Sequence, residues 1–206
     1  FGEVLWDIFP SGSRAGGAPF NVAYNLFKMG IDTKMLSRIG NDQLGHQLLD
    51  QIEQWGIATN FIQVDKERPT GTVLADFDEH GEAQYEIVKE VAWDYIEALP
   101  EHKELIHNSN AFVFGSLIAR NEASKKTLLE LLEHSKFRIF DVNFRPPFID
   151  FEFIKKLLHK ADLVKMNKAE LRTILDFLGV DYIDEDTSIR PVSYTHLRAH
   201  ETVLDI

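Results

Sequence analysis

Two glycines ahead of a helix are the most specific chemical feature of the chain: Gly16-Gly17-Ala18-Pro19-Phe20-Asn21-Val22-Ala23, with Gly30 and Gly40 downstream. Paired glycines let a backbone approach a ligand closely, and N–H groups at a helix start donate to hydroxyl or phosphate oxygens. Asn21, one turn in, offers both donor and acceptor, which suits a polyol. The same residues also suit a tight strand–helix turn that binds nothing. Asp7 ends a short β-rich run, where its carboxylate either accepts hydrogen bonds from two neighbouring hydroxyls or is a turn acid before Pro10. Asn143 and Arg145 follow a predicted strand, at the edge where open α/β sheets bind ligands. Arg145 there either faces a phosphate or pairs with an acid. Asn167-x-x-Glu170 has capping-box spacing, worth about 1 kcal/mol, at a helix start that already favours anions. Lys165 adds positive charge beside it. His196 and His200 have the spacing of a metal pair, followed by Glu201, but no third ligand completes a site. No G-x-x-x-x-G-K-S/T phosphate loop occurs, and no G-x-G-x-x-G follows a strand.

Strand ends and helix starts must hold these residues. Glu3 to Phe9 is a predicted strand, closed by Pro10 and the turn residues Ser11-Gly12-Ser13. A helix starts near Pro19, buries Val22, Ala23, Leu26 and Phe27, and stops at Gly30. Lys34 to Ile39 reads as a strand. Asp42 caps a second helix carrying Leu44, Leu48, Leu49 and Ile52, stopped by Gly56. A third strand lies around Phe61 to Val64. Thr72 to Phe77 and Ala83 to Val88 then form a hairpin joined by Asp78-Glu79-His80-Gly81, a small sheet set apart from the main one. The alternation resumes with strand Ala111 to Phe114, helix Glu122 to Ser135, strand Phe137 to Val142 and helix Phe151 to His159. Strand Asp162 to Met166 and helix Lys168 to Leu178 follow. Parallel βα units with one antiparallel insert predict an α/β fold: a doubly wound, mostly parallel sheet with a small β lid. Trp93 and Tyr95, just past the hairpin, either cover a ligand or serve as core or hinge, and the scattered histidines belong at the surface.

Composition removes several classes of function. With 206 residues the prior is one domain. The absence of cysteine excludes disulfides, thiolate metal sites and cysteine nucleophiles. A net charge of −11 argues against general nucleic-acid binding and against adhesion to anionic membranes. No apolar run is long enough to span a bilayer, and the first residues lack the basic region of a signal peptide. The expectation is a soluble cytoplasmic protein with no nucleic-acid or membrane partner. Beginning at Phe1 rather than Met, the chain is expected to lack a few upstream residues. From Pro191 to Ile206 neither β nor helical periodicity is present, and this stretch is read as a tail foreign to the fold.

The run GGAPFNVA followed by Gly30 and Gly40 resembles the N-terminal signature of the ribokinase-like (PfkB) sugar kinases, and Ala-Pro-Phe-Asn is most similar to the fructokinase branch. Gly2 to Asp7 resembles that family's first strand, whose closing acid binds sugar hydroxyls. Ile39-Gly40-Asn41-Asp42, Asp141 to Arg145 and Lys165 to Glu170 fall where similar family motifs fall. The resemblance covers about residues 1 to 178. It implies a sugar-binding set of Asp7, Gly16, Gly17 and Asn21. It also implies a phosphate and Mg²⁺ side of Asn143, Arg145, Lys165, Asn167 and Glu170, acting largely through ordered water, with ATP as phosphoryl donor. Lids of this kind pair into dimers, so a homodimer is implied for the complete protein.

The family's second signature, an Asp-Thr-x-Gly-Ala-Gly-Asp stretch that carries the general base, has no match after Asn167, where Gly179 is the only later glycine. The expected reading is therefore a truncated ribokinase-like domain over 1–190, with lid strands at about 3–9 and 72–88, and a non-native tail over 191–206. The complete protein would phosphorylate a sugar hydroxyl, and the given chain, with no catalytic residue of its own and no direct metal ligand, would be inactive. A 2-keto-3-deoxygluconate kinase and a non-catalytic sugar-binding module are the rival readings.

Overall fold

Side-chain alternation splits the first strand into two working faces. Val4 and Trp6 join a buried cluster with Phe20, Ala23, Met35, Ile39, Leu48 and Ile52, while Glu3 and Asp7 take the other side. The computed structural model describes residues 1–77, 83–184 and 187. Strand β1 (Leu5–Phe9) turns back into β2 (Gly12–Gly16), with Leu5 opposite Gly16 and Asp7 opposite Arg14. A turn is expected over Ser11 to Ser13; Pro10-Ser11 makes it, and Gly12 and Ser13 already belong to β2. Strand β2 is an edge strand whose first three residues are exposed, so no burial pattern marks it, and its backbone pairing with β1 creates it.

Helix α1 (Ala18–Lys28) has Pro19 in its first turn, and Gly30, at φ +81°, follows its end. Strand β3 (Ser37–Gly40) starts later than predicted and pairs in parallel with β4 (Ile62–Asp65). Between them, helix α2 (Gln43–Gln54) is capped by Asp42, as its position predicts: Oδ1 accepts from Gly45 N at 2.7 Å. The same carboxylate accepts from Thr70 N at 2.8 Å and from Thr70 Oγ1 at 2.7 Å. Burial pushes the Asp42 carboxyl up, but the Thr70 and Gly45 hydrogen bonds outweigh it and hold the group below the usual aspartate range. Strand β5 (Thr72–Phe77) runs parallel to β1, and β6 (Ala83–Ile87) runs antiparallel to β5. The result is a four-stranded sheet of order β2–β1–β5–β6, the separate small sheet expected from the hairpin pattern. The turn expected at Asp78 to Gly81 lies outside the described residues, as does all of Pro191 to Ile206, with its His196, His200 and Glu201.

Helix α3 (Pro100–Asn108) is absent from the sequence reading because its apolar stripe is thin: only His102 and Ile106 are buried. His102 also corrects the expectation that the histidines lie at the surface. Its Nδ1 lies 3.0 Å from Glu97 O and 3.3 Å from Gln63 Nε2. Strands β7 (Phe112–Gly115), β8 (Arg138–Asp141) and β9 (Leu163–Lys165) are parallel neighbours. They alternate with helices α4 (Glu122–Leu132), α5 (Phe151–Lys160) and α6 (Lys168–Leu178). A second core fills this half, centred on Phe114, Phe140, Leu131, Leu157 and Ile174. Where one doubly wound sheet is expected, the described strands outside the small sheet form two parallel ladders, β3–β4 and β7–β8–β9. Phe1 and Gly2 link them, Phe1 N donating to Val113 O at 2.8 Å and Gly2 N to Leu36 O at 3.2 Å. A cavity of about 600 Å³ flanks that link, walled by Val22, Leu26, Met35, Leu105, Ile106 and Phe112 among others. Among the described residues no helix is long and apolar enough to cross a membrane.

The chain leaving the small sheet is tied to the body by one buried guanidinium. Arg120 donates from Nε to Asp94 Oδ1 at 2.6 Å, and from Nη2 to Asp94 Oδ2 at 2.8 Å and Val88 O at 2.6 Å. Its charge lies 3.9 Å from the Trp93 ring centroid, and that indole is fully buried, which makes Trp93 a core residue rather than a ligand cover. Removing one charge of such a pair strands the other. Asp94→Asn is expected to cost about 3–5 kcal/mol, read as a lower urea midpoint at unchanged slope.

Candidate functional site

The acid face of β1 lies against the start of α1, and only glycine allows the approach. A Cβ at Gly16 would fall on Asp7 Oδ2, and a Cβ at Gly17 would fall on the backbone oxygen of Glu3. Gly17 also holds φ +110°, a conformation that side chains disfavour. Asp7 is half-buried, and burial pushes its carboxyl up while the Arg145 charge pulls it down. Glu3 is buried; burial pushes its carboxyl up to about 7, against the hydrogen bond from Ala18 and the Arg145 charge. Arg145 therefore acts electrostatically on both acids. Arg145 is expected on the phosphate side, and its charge is felt at Asp7 and Glu3 as well. Asn21 is exposed, and its side-chain amide has no hydrogen-bond partner among the described residues. Ala18 N–H, expected to be free for a ligand, is taken by Glu3 Oε1 at 3.2 Å.

Glu3 was not singled out from the sequence. The available signal is an acid inside an apolar run, at even spacing from Asp7, which puts both on one strand face.

The second group gathers where β7, β8 and β9 end. The Asn167-x-x-Glu170 capping box forms: Glu170 N donates to Asn167 Oδ1 at 2.9 Å, and Asn167 N to Glu170 Oε2 at 2.8 Å. Glu170 Oε1 is taken as well, by Phe144 N at 3.0 Å, so this buried carboxylate fixes the loop carrying Asn143 and Arg145. Asn143 has φ +39°, and its carbonyl accepts from Ser116 Oγ at 3.4 Å. Lys165 is paired rather than free, 3.0 Å from Asp141 Oδ1. Among the described residues no group of three or more His, Asp or Glu could hold a metal ion. Asn167 and Glu170 can meet a hydrated cation only through lone pairs that the backbone leaves over.

Parallel strands, a glycine-opened helix start and a carboxylate-capped helix start define an α/β protein. The chain belongs to the pfkB family of carbohydrate kinases, whose pattern matches residues 11–189. It is 25% identical over 189 residues to a fructokinase of Vibrio alginolyticus, a match covering 85% of this chain and 61% of that protein. It is 27% identical over 187 residues to a fructokinase of Klebsiella pneumoniae, covering 84% and 61%. The chain thus spans about three-fifths of the length of these relatives. Among solved structures it resembles the fructokinase with bound ATP from Xylella fastidiosa, with a TM-score of 0.85 at 22% identity, over 99% of this chain and 68% of that one. It also resembles the fructokinase of Vibrio cholerae O395 in its fructose, ADP and calcium ion bound form, with a TM-score of 0.78 at 20% identity, over 96% and 68%. At such identities the structural likeness carries the fold.

Gly17→Ala meets backbone rather than a movable side chain. It is expected to destabilise the chain by about 1–3 kcal/mol in a denaturant titration.

Proposed function

We propose that the complete protein transfers the γ-phosphoryl group of ATP to a hydroxyl of a sugar, with a ketose such as fructose as the first candidate. The observation that carries this reading is the half-buried Asp7 beneath Gly16, with the Arg145 charge acting on it. A carboxylate shielded from water is a strong acceptor for neighbouring hydroxyls, and backbone without Cβ lets a sugar ring come close. Asp7, Gly16, Gly17 and Asn21 form the acceptor side. Asn143, Lys165, Asn167 and Glu170 form the nucleotide side, with Arg145 between the two. Mg²⁺, arriving with the nucleotide, would neutralise phosphate charge, and this chain's residues would meet it through water. Catalysis in such a transfer rests on positioning and charge stabilisation. The small sheet of β1, β2, β5 and β6 serves in this reading as a lid whose free edge pairs two copies.

The Arg145 charge beside Asp7 favours a second reading, an acid sugar such as 2-keto-3-deoxygluconate, whose carboxylate a guanidinium can bind. A sugar panel on the complete protein separates the two. In that protein Asp7→Ala is expected to raise the sugar KM and lower kcat/KM at least tenfold, about 1.4 kcal/mol. Unchanged kinetics across the panel would remove Asp7 from the acceptor site.

The 206-residue chain contains no Asp-Thr-x-Gly-Ala-Gly-Asp stretch after Asn167. On this reading it lacks the proton acceptor and the glycine amides that stabilise the transferring phosphoryl, and it has no kinase turnover. The stretch Pro191 to Ile206 contributes nothing to either. A coupled ADP-release assay with fructose, ribose and 2-keto-3-deoxygluconate is expected to stay at the no-sugar background. Sugar-dependent turnover would mean that another residue serves as base.

A further inference from the structure

We infer that Glu3 is the positioning residue of the acceptor site: a carboxylate delivered from the β1 segment that caps helix α1 in place of the side chain Gly17 lacks, and so fixes the Gly16–Gly17 backbone over Asp7. The inference rests on the acceptor-site reading for its functional consequence, but the clamp itself stands on geometry.

Helix α1 begins without any of the usual devices. Its N-cap is Gly17, which makes no side-chain hydrogen bond, and its first turn holds no acidic residue. Pro19 brings no N–H to satisfy. Asn21 N is already spent on Gly17 O at 2.8 Å. That leaves the amides of Ala18 and Phe20, and Glu3 Oε1 accepts the Ala18 N–H at 3.2 Å from 15 residues away in sequence. The backbone of Glu3 completes the seat, since its carbonyl oxygen occupies the space a Cβ on Gly17 would need. Glu3 thus meets the glycine turn with its side chain and its backbone, while Asp7, four residues further along the same face, meets Gly16.

The division of labour follows from what a ligand needs. A Ser, Asp or Asn at position 17 would cap the helix locally, the usual solution, but would put a side chain where a ligand must approach backbone. Moving the cap to a neighbouring strand keeps the turn open and still satisfies the amide. The second oxygen of Glu3, Oε2, is buried without a partner. Burial pushes the carboxyl up to about 7, and Oε1 can accept the Ala18 N–H in either protonation state. Reach, rather than charge, is then the property that matters.

Glu3→Gln keeps reach and loses charge, whereas Glu3→Asp keeps charge and loses reach, so the pair discriminates without relying on a truncation that could unfold the chain. Amide hydrogen exchange on the ligand-free 206-residue chain reads the clamp directly. Glu3→Asp is expected to speed exchange at Ala18 at least tenfold relative to the β8 core amides, and Glu3→Gln less than threefold. Fructose titration reads the consequence: Glu3→Asp is expected to weaken binding at least tenfold, with Glu3→Gln within threefold of wild type. Equal exchange in all three proteins, or fast exchange in Glu3→Gln, overturns the clamp. Slower binding losses in Glu3→Asp than in Glu3→Gln would assign the role to charge and overturn it equally. If the unsubstituted chain binds no sugar while the exchange pattern holds, the acceptor-site reading fails and the clamp stands.

Discussion

A strand carrying two carboxylates on one face can lie against a helix start only where that start has no side chains in the way. Most of the site follows from this constraint. Gly16 and Gly17 leave room for Asp7 and for the Glu3 backbone, and Gly17 takes the positive φ that turns the chain from β2 into α1. The opposite face of the same strand supplies Val4 and Trp6 to the core that α1 covers with Phe20 and Ala23. One strand therefore anchors the helix with its apolar side and turns its carboxylates to the glycine-opened helix start. Burial of the apolar side, at roughly 25 cal/mol per Å², offsets the cost of holding two acids partly out of water on the other.

The group at the ends of β7, β8 and β9 is held differently, with one carboxylate serving two backbone segments. Glu170 closes its own capping box and holds Phe144 N, so the start of α6 and the loop after β8 cannot move independently. Ser116 extends the link to the end of β7. Beyond Ser116, Arg120 binds Asp94 and the carbonyl of Val88, the residue that leaves the small sheet. A buried ion pair of this kind adds little net stability over an apolar replacement. Its geometric effect is larger, because a bidentate guanidinium between the Trp93 and Phe148 rings fixes where the small sheet joins the body.

Local signals made several elements legible. Helix α6 falls at Lys168–Leu178 as its capping box and apolar spacing predict, and Gly179 ends it in a left-handed cap. Pro19, Asp42 and Gly30 mark helix boundaries by stereochemistry alone. The strands of the small sheet follow from the Thr72 and Ala83 runs. Strand β2 and helix α3 were not legible, since the first is an exposed edge and the second buries only two residues. His102 looked like a surface residue because nothing near it in sequence shows that Gln63 and Glu97 fold over it.

By itself the sequence determined the α/β alternation, the glycine-opened helix start, the Asp7 carboxylate and the capped start of α6. Each depends on residues within a few positions of one another. Only the tertiary structure decided that the Arg145 charge reaches Asp7 and Glu3, that Glu3 caps α1, and that Glu170 is spent on two backbone amides. These are encounters between residues up to about 140 positions apart, and their outcome depends on which strand faces which turn, a matter set by packing of the whole core rather than by any local propensity.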